Sequence, residues 1–159
     1  MTETAATPPV DPNAADFNKT TELPVSIFDV FETDISAEEE GRWFDGFGAE
    51  GIRIKLRRLS SRKAMAVRQR LARRYRSSAK NGVLPQDIQD TILRTTVAEG
   101  CFVDWEGIND RSGKPIKFSP EAALELMTKL PNFAKAVTHV CDQLEFWRAE
   151  EQAAVEGNS

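Results

Sequence analysis

From Ile52 to Arg57 apolar and cationic residues alternate without a break: Ile52, Ile54 and Leu56 take every second position, and Arg53, Lys55 and Arg57 the positions between. Successive side chains of an extended chain point to opposite faces, so this segment makes a strand with one apolar and one basic face. The preceding Arg42-Trp43-Phe44 supplies a partner strand, and the stretch holding Gly46, Gly48 and Gly51 turns the chain between them. A β-hairpin is therefore expected.

Helical spacing takes over after Ser60 and Ser61, both good caps: Ala64, Val67, Leu71 and Tyr75 recur on one face while the other is rich in arginine. Asn81-Gly82 is expected to end this helix. A second helix begins at Leu84-Pro85, carries Asp87 and Asp90 at its positive end, buries Ile88, Ile92, Leu93 and Val97, and stops at Gly100. Cys101, Phe102, Val103 and Trp105 then read as an apolar crossing segment, and residues 108–117, dense in turn formers, as a loop. Ser119-Pro120-Glu121 starts a short helix with Leu124, Met127 and Leu130. Pro131 breaks that run, and Asn132 caps a longer last helix with Phe133, Val137, Val140, Cys141, Leu144 and Trp147 on one face. The fold class implied is α+β, mainly helical: an N-terminal hairpin followed by about four helices.

The organisation expected is a disordered arm over residues 1–24, an acidic lead-in over 25–40, one compact domain over 41–152 and a flexible tail over 153–159. Apolar residues are too sparse in the arm to repay the entropy of ordering it. The lead-in interleaves Val25, Ile27, Phe28, Val30 and Phe31 with Asp29 and Glu32, and reads as an edge strand or a short docking segment. No stretch approaches the roughly 18 apolar residues that cross a bilayer, and the N-terminus lacks the pattern of a secretory signal, so a cytosolic location is expected. Cys101 and Cys141 stand in apolar settings and are expected as buried, reduced thiols.

A net charge of −4 conceals a segregation: the 28 residues from Arg53 to Lys80 hold 12 basic side chains and no acidic one, while residues 1–50 hold 12 acidic and 2 basic. Such a run calls for an anionic partner or for pairing with the chain's own acidic parts, among them Glu38, Glu39 and Glu40. Nucleic acid is disfavoured by the acidic pI of about 5.2 and by the lack of exposed aromatics among the arginines. A protein partner is the better fit.

No glycine-rich phosphate loop, nucleophile elbow or paired-histidine metal motif occurs, so no enzyme activity and no cofactor are expected. The single histidine, His139, lies between Val137 and Val140 without an evident partner base or nucleophile, and reads as structural or solvated. Asp104, Glu106 and Asp110 imitate a hard-cation set but lack the regular alternation and terminal glutamate of a calcium loop, so they read as turn-capping residues and no metal is assigned.

The run Val97-Ala98-Glu99-Gly100-Cys101-Phe102-Val103-Asp104-Trp105-Glu106-Gly107-Ile108, followed by Asp110-Arg111-Ser112-Gly113-Lys114-Pro115-Ile116-Lys117-Phe118-Ser119, carries a family resemblance. It resembles the helix end, Asp-Trp-Glu-Gly turn, Gly-Lys-Pro loop and Phe-Ser cap of tail assembly chaperones of long-tailed, siphovirus-type bacteriophages. The preceding hairpin and basic helix, and the following short helix with its Leu130-Pro131 step, are similar in order and type. The resemblance implies a protein that binds the tape measure protein and keeps it soluble while the tail tube polymerises, with the tail tube protein a further partner. It also implies a host-cytoplasmic protein shed before the virion matures, a habit of forming homo-oligomers, and often a longer frameshifted form. Candidate groove residues for such a partner are Trp43, Phe44, Tyr75, Trp105, Phe133 and Trp147, with Arg57, Arg58, Arg62, Arg68 and Arg73 as a basic rim. Core packing is the competing explanation for each aromatic. The alternatives are a structural tail or connector protein of the virion, and a nucleic-acid-binding regulator using the basic segment 53–80.

Overall fold

The computed structural model describes residues 23–149, and the chain divides into two units after Glu32. The arm expected over 1–24 and the tail over 153–159 lie, apart from Leu23 and Pro24, outside the described residues. In the first unit the lead-in forms a five-residue helix, α1 (Ile27–Phe31), rather than an edge strand. The Ser26 hydroxyl accepts from the Phe28 N–H at 3.2 Å, satisfying a first-turn donor that an extended chain would have had to offer to a neighbouring strand.

The second unit opens with α2 (Ile35–Glu40), capped by Asp34, whose carboxylate accepts from the Ala37 N–H at 3.1 Å. Gly41, at φ +104, turns the chain into the expected hairpin of β1 (Arg42–Asp45) and β2 (Arg53–Leu56), with Trp43 opposite Lys55 and Phe44 opposite Ile54. The alternation in β2 works as its spacing dictates: Ile54 and Leu56 are fully buried while Arg53 and Lys55 keep partial contact with solvent.

The apolar crossing segment proves to be a third strand, β3 (Phe102–Glu106), antiparallel to β2, so β2 is central in the order β1-β2-β3. The register slips between Lys55 and Leu56, and that irregularity puts Phe102 and Trp105 inside three residues apart instead of two. A period of two is therefore missing from the sequence of β3.

Helix α3 (Arg62–Arg74) is capped by Ser61 and ends at Tyr75, well before Asn81-Gly82. A 3₁₀ turn over Arg76–Ser78 follows. Asn81 (φ +52) and Gly82 (φ +77) instead make a tight two-residue turn closed by paired bonds between Lys80 and Val83 of 2.8 and 3.0 Å. The same dipeptide serves as a helix stop and as a hairpin turn because both need left-handed backbone.

Helix α4 (Gln86–Thr96) runs on into a π-helical turn, Val97–Cys101. A Cβ on Gly100 would stand 2.6 Å from the Ala64 Cα, so this glycine is what lets α3 and the π turn pack backbone to backbone. Ser119 caps α5 (Pro120–Lys129) as expected, with the Ala122 N–H donating at 3.0 Å. Pro131 begins α6 (Pro131–Asp142) rather than preceding it, and Leu130, not Asn132, holds the cap position; a first-turn proline forfeits no helical hydrogen bond. Leu144–Trp147 form a separate 3₁₀ turn after α6.

This is a mainly helical α+β fold. Its main core joins Ile54 and Leu56 of the sheet to Ala64, Val97, Cys101, Met127, Val137, Cys141 and Trp147 from the helical layer. A smaller cluster of Val67, Leu71 and Ile92, with Tyr75, Leu84 and Ile88 at its edge, holds α3 to α4. Both cysteines are free and buried, and burial together with the neighbouring Cys101 thiol pushes the Cys141 thiol up, which keeps it protonated.

Candidate functional site

The six aromatic candidates do not converge on one open groove. Trp105 is only 6% exposed and donates its indole N–H to the Ile116 carbonyl at 2.7 Å; its ring meets Phe118 edge-on, and Phe102 bridges it to Phe133. Trp147 is fully buried, donates to the Val140 carbonyl at 2.9 Å and takes the Phe44 ring at 5.3 Å. Tyr75 belongs to the smaller cluster and lies under Arg74. Trp43 is half-buried beneath the Arg53 guanidinium, 4.9 Å from its ring centre. Packing inside the fold accounts for each of these contacts.

The same hydrogen bond explains the Trp-Glu-Gly turn and the Gly-Lys-Pro loop as one unit. Trp105 pins Ile116, Ile116 bonds back to Ile108 at 2.8 Å, and Asp110 gathers the Ser112 hydroxyl and the Ser112 and Lys114 N–H groups within 3.0 Å. The Ser112 hydroxyl, and then the Lys114 N–H, hold the Asp110 carboxyl below its ordinary pKa. Gly107 sits at φ +78, where a Cβ would stand 2.1 Å from the Gly51 carbonyl oxygen, so the turn admits nothing larger. Asp104 caps its own strand neighbour through the Trp105 N–H, and Glu106 reaches Arg53 at 3.7 Å. Among the described residues no three metal-ligating side chains come together.

The basic segment splits in two. In the hairpin half, Arg53 pairs with Asp45 at 3.0 Å, the Arg57 Nε donates to the Glu39 carbonyl at 2.9 Å, and Arg58 pairs with Glu38 at 2.7 Å in a largely enclosed setting. Glu38 also accepts from the Thr33 hydroxyl. Within the same unit, then, Glu38 of α2 neutralises Arg58, Glu39 holds Arg57 through its backbone carbonyl, and Asp45 of β1 takes Arg53. In the helical half only Arg70 has a carboxylate partner, Glu99, among the described residues. Arg62 gives its backbone N–H to the Glu39 carboxylate at 3.0 Å while its side chain, like those of Arg68 and Arg73, stands exposed.

A groove of about 520 Å³ opens elsewhere, between α4 and α6 over the end of α5. Leu93, Met127, Pro131 and Ala134 line it with apolar side chains, and Asp90, Arg94, Lys135 and Asp142 with charged ones. The sequence placed Leu93 on the buried stripe, but it is 39% exposed. Ile88, Ile92 and Thr96 follow one another at four-residue steps along the covered face, and Leu93 lies about 100° round the helix from Ile92. Noticing that offset would have found the groove wall. His139 also lines the groove, exposed, with its ring edge-on to Phe146 at 5.6 Å.

Fold and surface together define a small α+β protein; among the described residues its open features include an apolar groove and a basic helix on which only Arg70 has a carboxylate partner. The family model of the YdaY prophage protein matches residues 59–158, more than half of the chain, and the chain belongs to that family; it is phage-derived. No curated protein and no solved structure matches it. Among the described residues no helix is long and apolar enough to cross a membrane.

Proposed function

We propose that this prophage protein is a non-enzymatic tail assembly chaperone that binds the tape measure protein and holds it soluble in the host cytoplasm while the tail tube forms. The observation that carries the reading is the groove between α4 and α6, lined by Leu93, Met127, Pro131 and Ala134 together with charges of both signs. An amphipathic helix buries its apolar stripe in such a groove while its flanks stay in contact with charge and water, which suits reversible capture of a long helical chain. The phage origin of the family and the order of elements from hairpin to last helix support the same role.

Co-expression with the tape measure protein of the same prophage tests it. The tape measure protein should remain in the soluble fraction with this chain and precipitate without it; equal precipitation in both cases would sink the proposal. Mass spectrometry of purified particles separates the chaperone from a structural component of the tail or connector: a chaperone is absent from them, and stoichiometric presence would favour the structural role.

A further inference from the structure

Within the second unit, α3 contributes no residue to the groove and carries a seam of its own. On the side opposite the buried Ala64, Val67 and Leu71, the exposed Arg62, Met65, Gln69 and Ala72 fall into line at steps of three, four and three residues. Two helices packed side by side meet along such a spacing, and the residues flanking the seam of one face those flanking the seam of the other. Here the flanks carry Arg68 on one side and Arg73 on the other, both exposed.

The charge of those flanks selects the kind of helix that fits. A solvated helix face ordinarily interleaves both signs, but α3 has six cations and no carboxylate in its 13 residues. Among the described residues Arg70 alone of the six is ion-paired. A second α3 laid along the seam would set cation against cation, so self-pairing there is opposed. A helix with Asp or Glu on its flanks meets Arg68 and Arg73 with opposite charge. A nucleic acid backbone is also anionic, yet it offers nothing apolar for Met65 and Ala72 to cover, and the seam has no aromatic ring on which a base could stack.

We propose that the outward seam of α3 is a docking site for an acidic α-helix of another protein, with small apolar side chains against Met65 and Ala72 and carboxylates opposite Arg68 and Arg73. The seam buries little apolar surface, so charge chooses the partner and its register, and the contact is reversible and weakens as salt is raised. This inference is independent of the chaperone reading and of what fills the groove.

Fluorescence anisotropy on the full chain tests it, with circular dichroism to check that each variant is folded. The probe is a labelled helical peptide of about three heptads with Ala and Leu along its seam and Glu on both flanks. The wild type should bind it, and should bind a helical peptide of the same composition with the carboxylates spread round the helix about tenfold more weakly or worse. The pair Arg68→Glu with Arg73→Glu should weaken binding of the ordered peptide by about tenfold or more, and should bind a counterpart with Lys on both flanks more tightly than the wild type does. No binding of the ordered peptide, equal binding of the ordered and rearranged peptides, or a reversed pair that does not exchange its preference would each overturn the proposal. So would a DNA duplex that binds the wild type more tightly than the ordered peptide at the same salt concentration.

Discussion

The hairpin and helical halves of the basic segment are both rich in cations and free of carboxylates, yet most of their cations have different fates. Arg53, Arg57 and Arg58 are consumed by Asp45 and by the α2 residues Glu38 and Glu39. Arg62, Arg68 and Arg73 lie on the next element of the chain and keep their guanidinium groups in solvent. The difference follows from where the acidic cluster sits. Helix α2 is six residues long, and its C-terminal end is bonded to the chain leaving β2, the Arg58 N–H donating to the Glu38 carbonyl at 3.1 Å. Its carboxylates reach as far as the first turn of α3 and no further. A charge run is therefore not one feature: its first part holds the fold together, and its second, Arg70 apart, is free to meet something else.

If the hairpin half is structural, damage there should cost stability. Ile54→Ala should cost the most, about 2 to 5 kcal/mol in chemical denaturation, because Ile54 is fully buried on the central strand and leaves a cavity behind. Arg58→Ala should come next, at about 1.5 to 3 kcal/mol, since it strips a charged hydrogen bond from the largely enclosed Glu38. A loss below about 0.5 kcal/mol would make Arg58 an ordinary surface cation and dissolve the contrast. On the helical half, Arg68→Ala and Arg73→Ala should each move stability by no more than about 0.5 kcal/mol in the same measurement, as exposed positions without partners do. A large loss at either would mean that α3 also uses its cations to hold the fold.

Much of the scaffold was legible because local signals agreed with the global fold. The alternation from Ile52 to Arg57 and the serine caps at Ser61 and Ser119 each specify an element without reference to anything distant. What escaped depends on contacts far apart in sequence. Strand β3 hides its period behind the slip at Lys55 and Leu56, and Asn81-Gly82 suits two structures equally well until Lys80 and Val83 are seen to pair. Of the candidate binding residues, the exposure of Arg68 and Arg73 followed from helical period alone. The capture of Arg58 by Glu38, 20 residues earlier, was one of two outcomes that composition left open. Aromatic residues were the least informative, since Trp105 and Trp147 satisfy their N–H groups on backbone carbonyls inside the core, a need that a sequence does not display.

Arg42 joins the two ends of the described part of the second unit. Its guanidinium donates to the carbonyls of Phe146 and Arg148 at 3.0 and 2.8 Å and reaches Asp34 at 3.4 Å, while the Asp34 N–H bonds the Trp147 carbonyl at 2.8 Å. The polypeptide from Asp34 to Arg148 is thus a loop clasped at its base, and connecting those two ends covalently would complete a ring without displacing an element. Cutting that ring between Gly46 and Gly51, where added side chains at Gly46, Gly48 and Gly51 would meet nothing, would leave a permuted chain with the same core. Anything fused before Asp34 or after Arg148 would set out from a single corner of this unit.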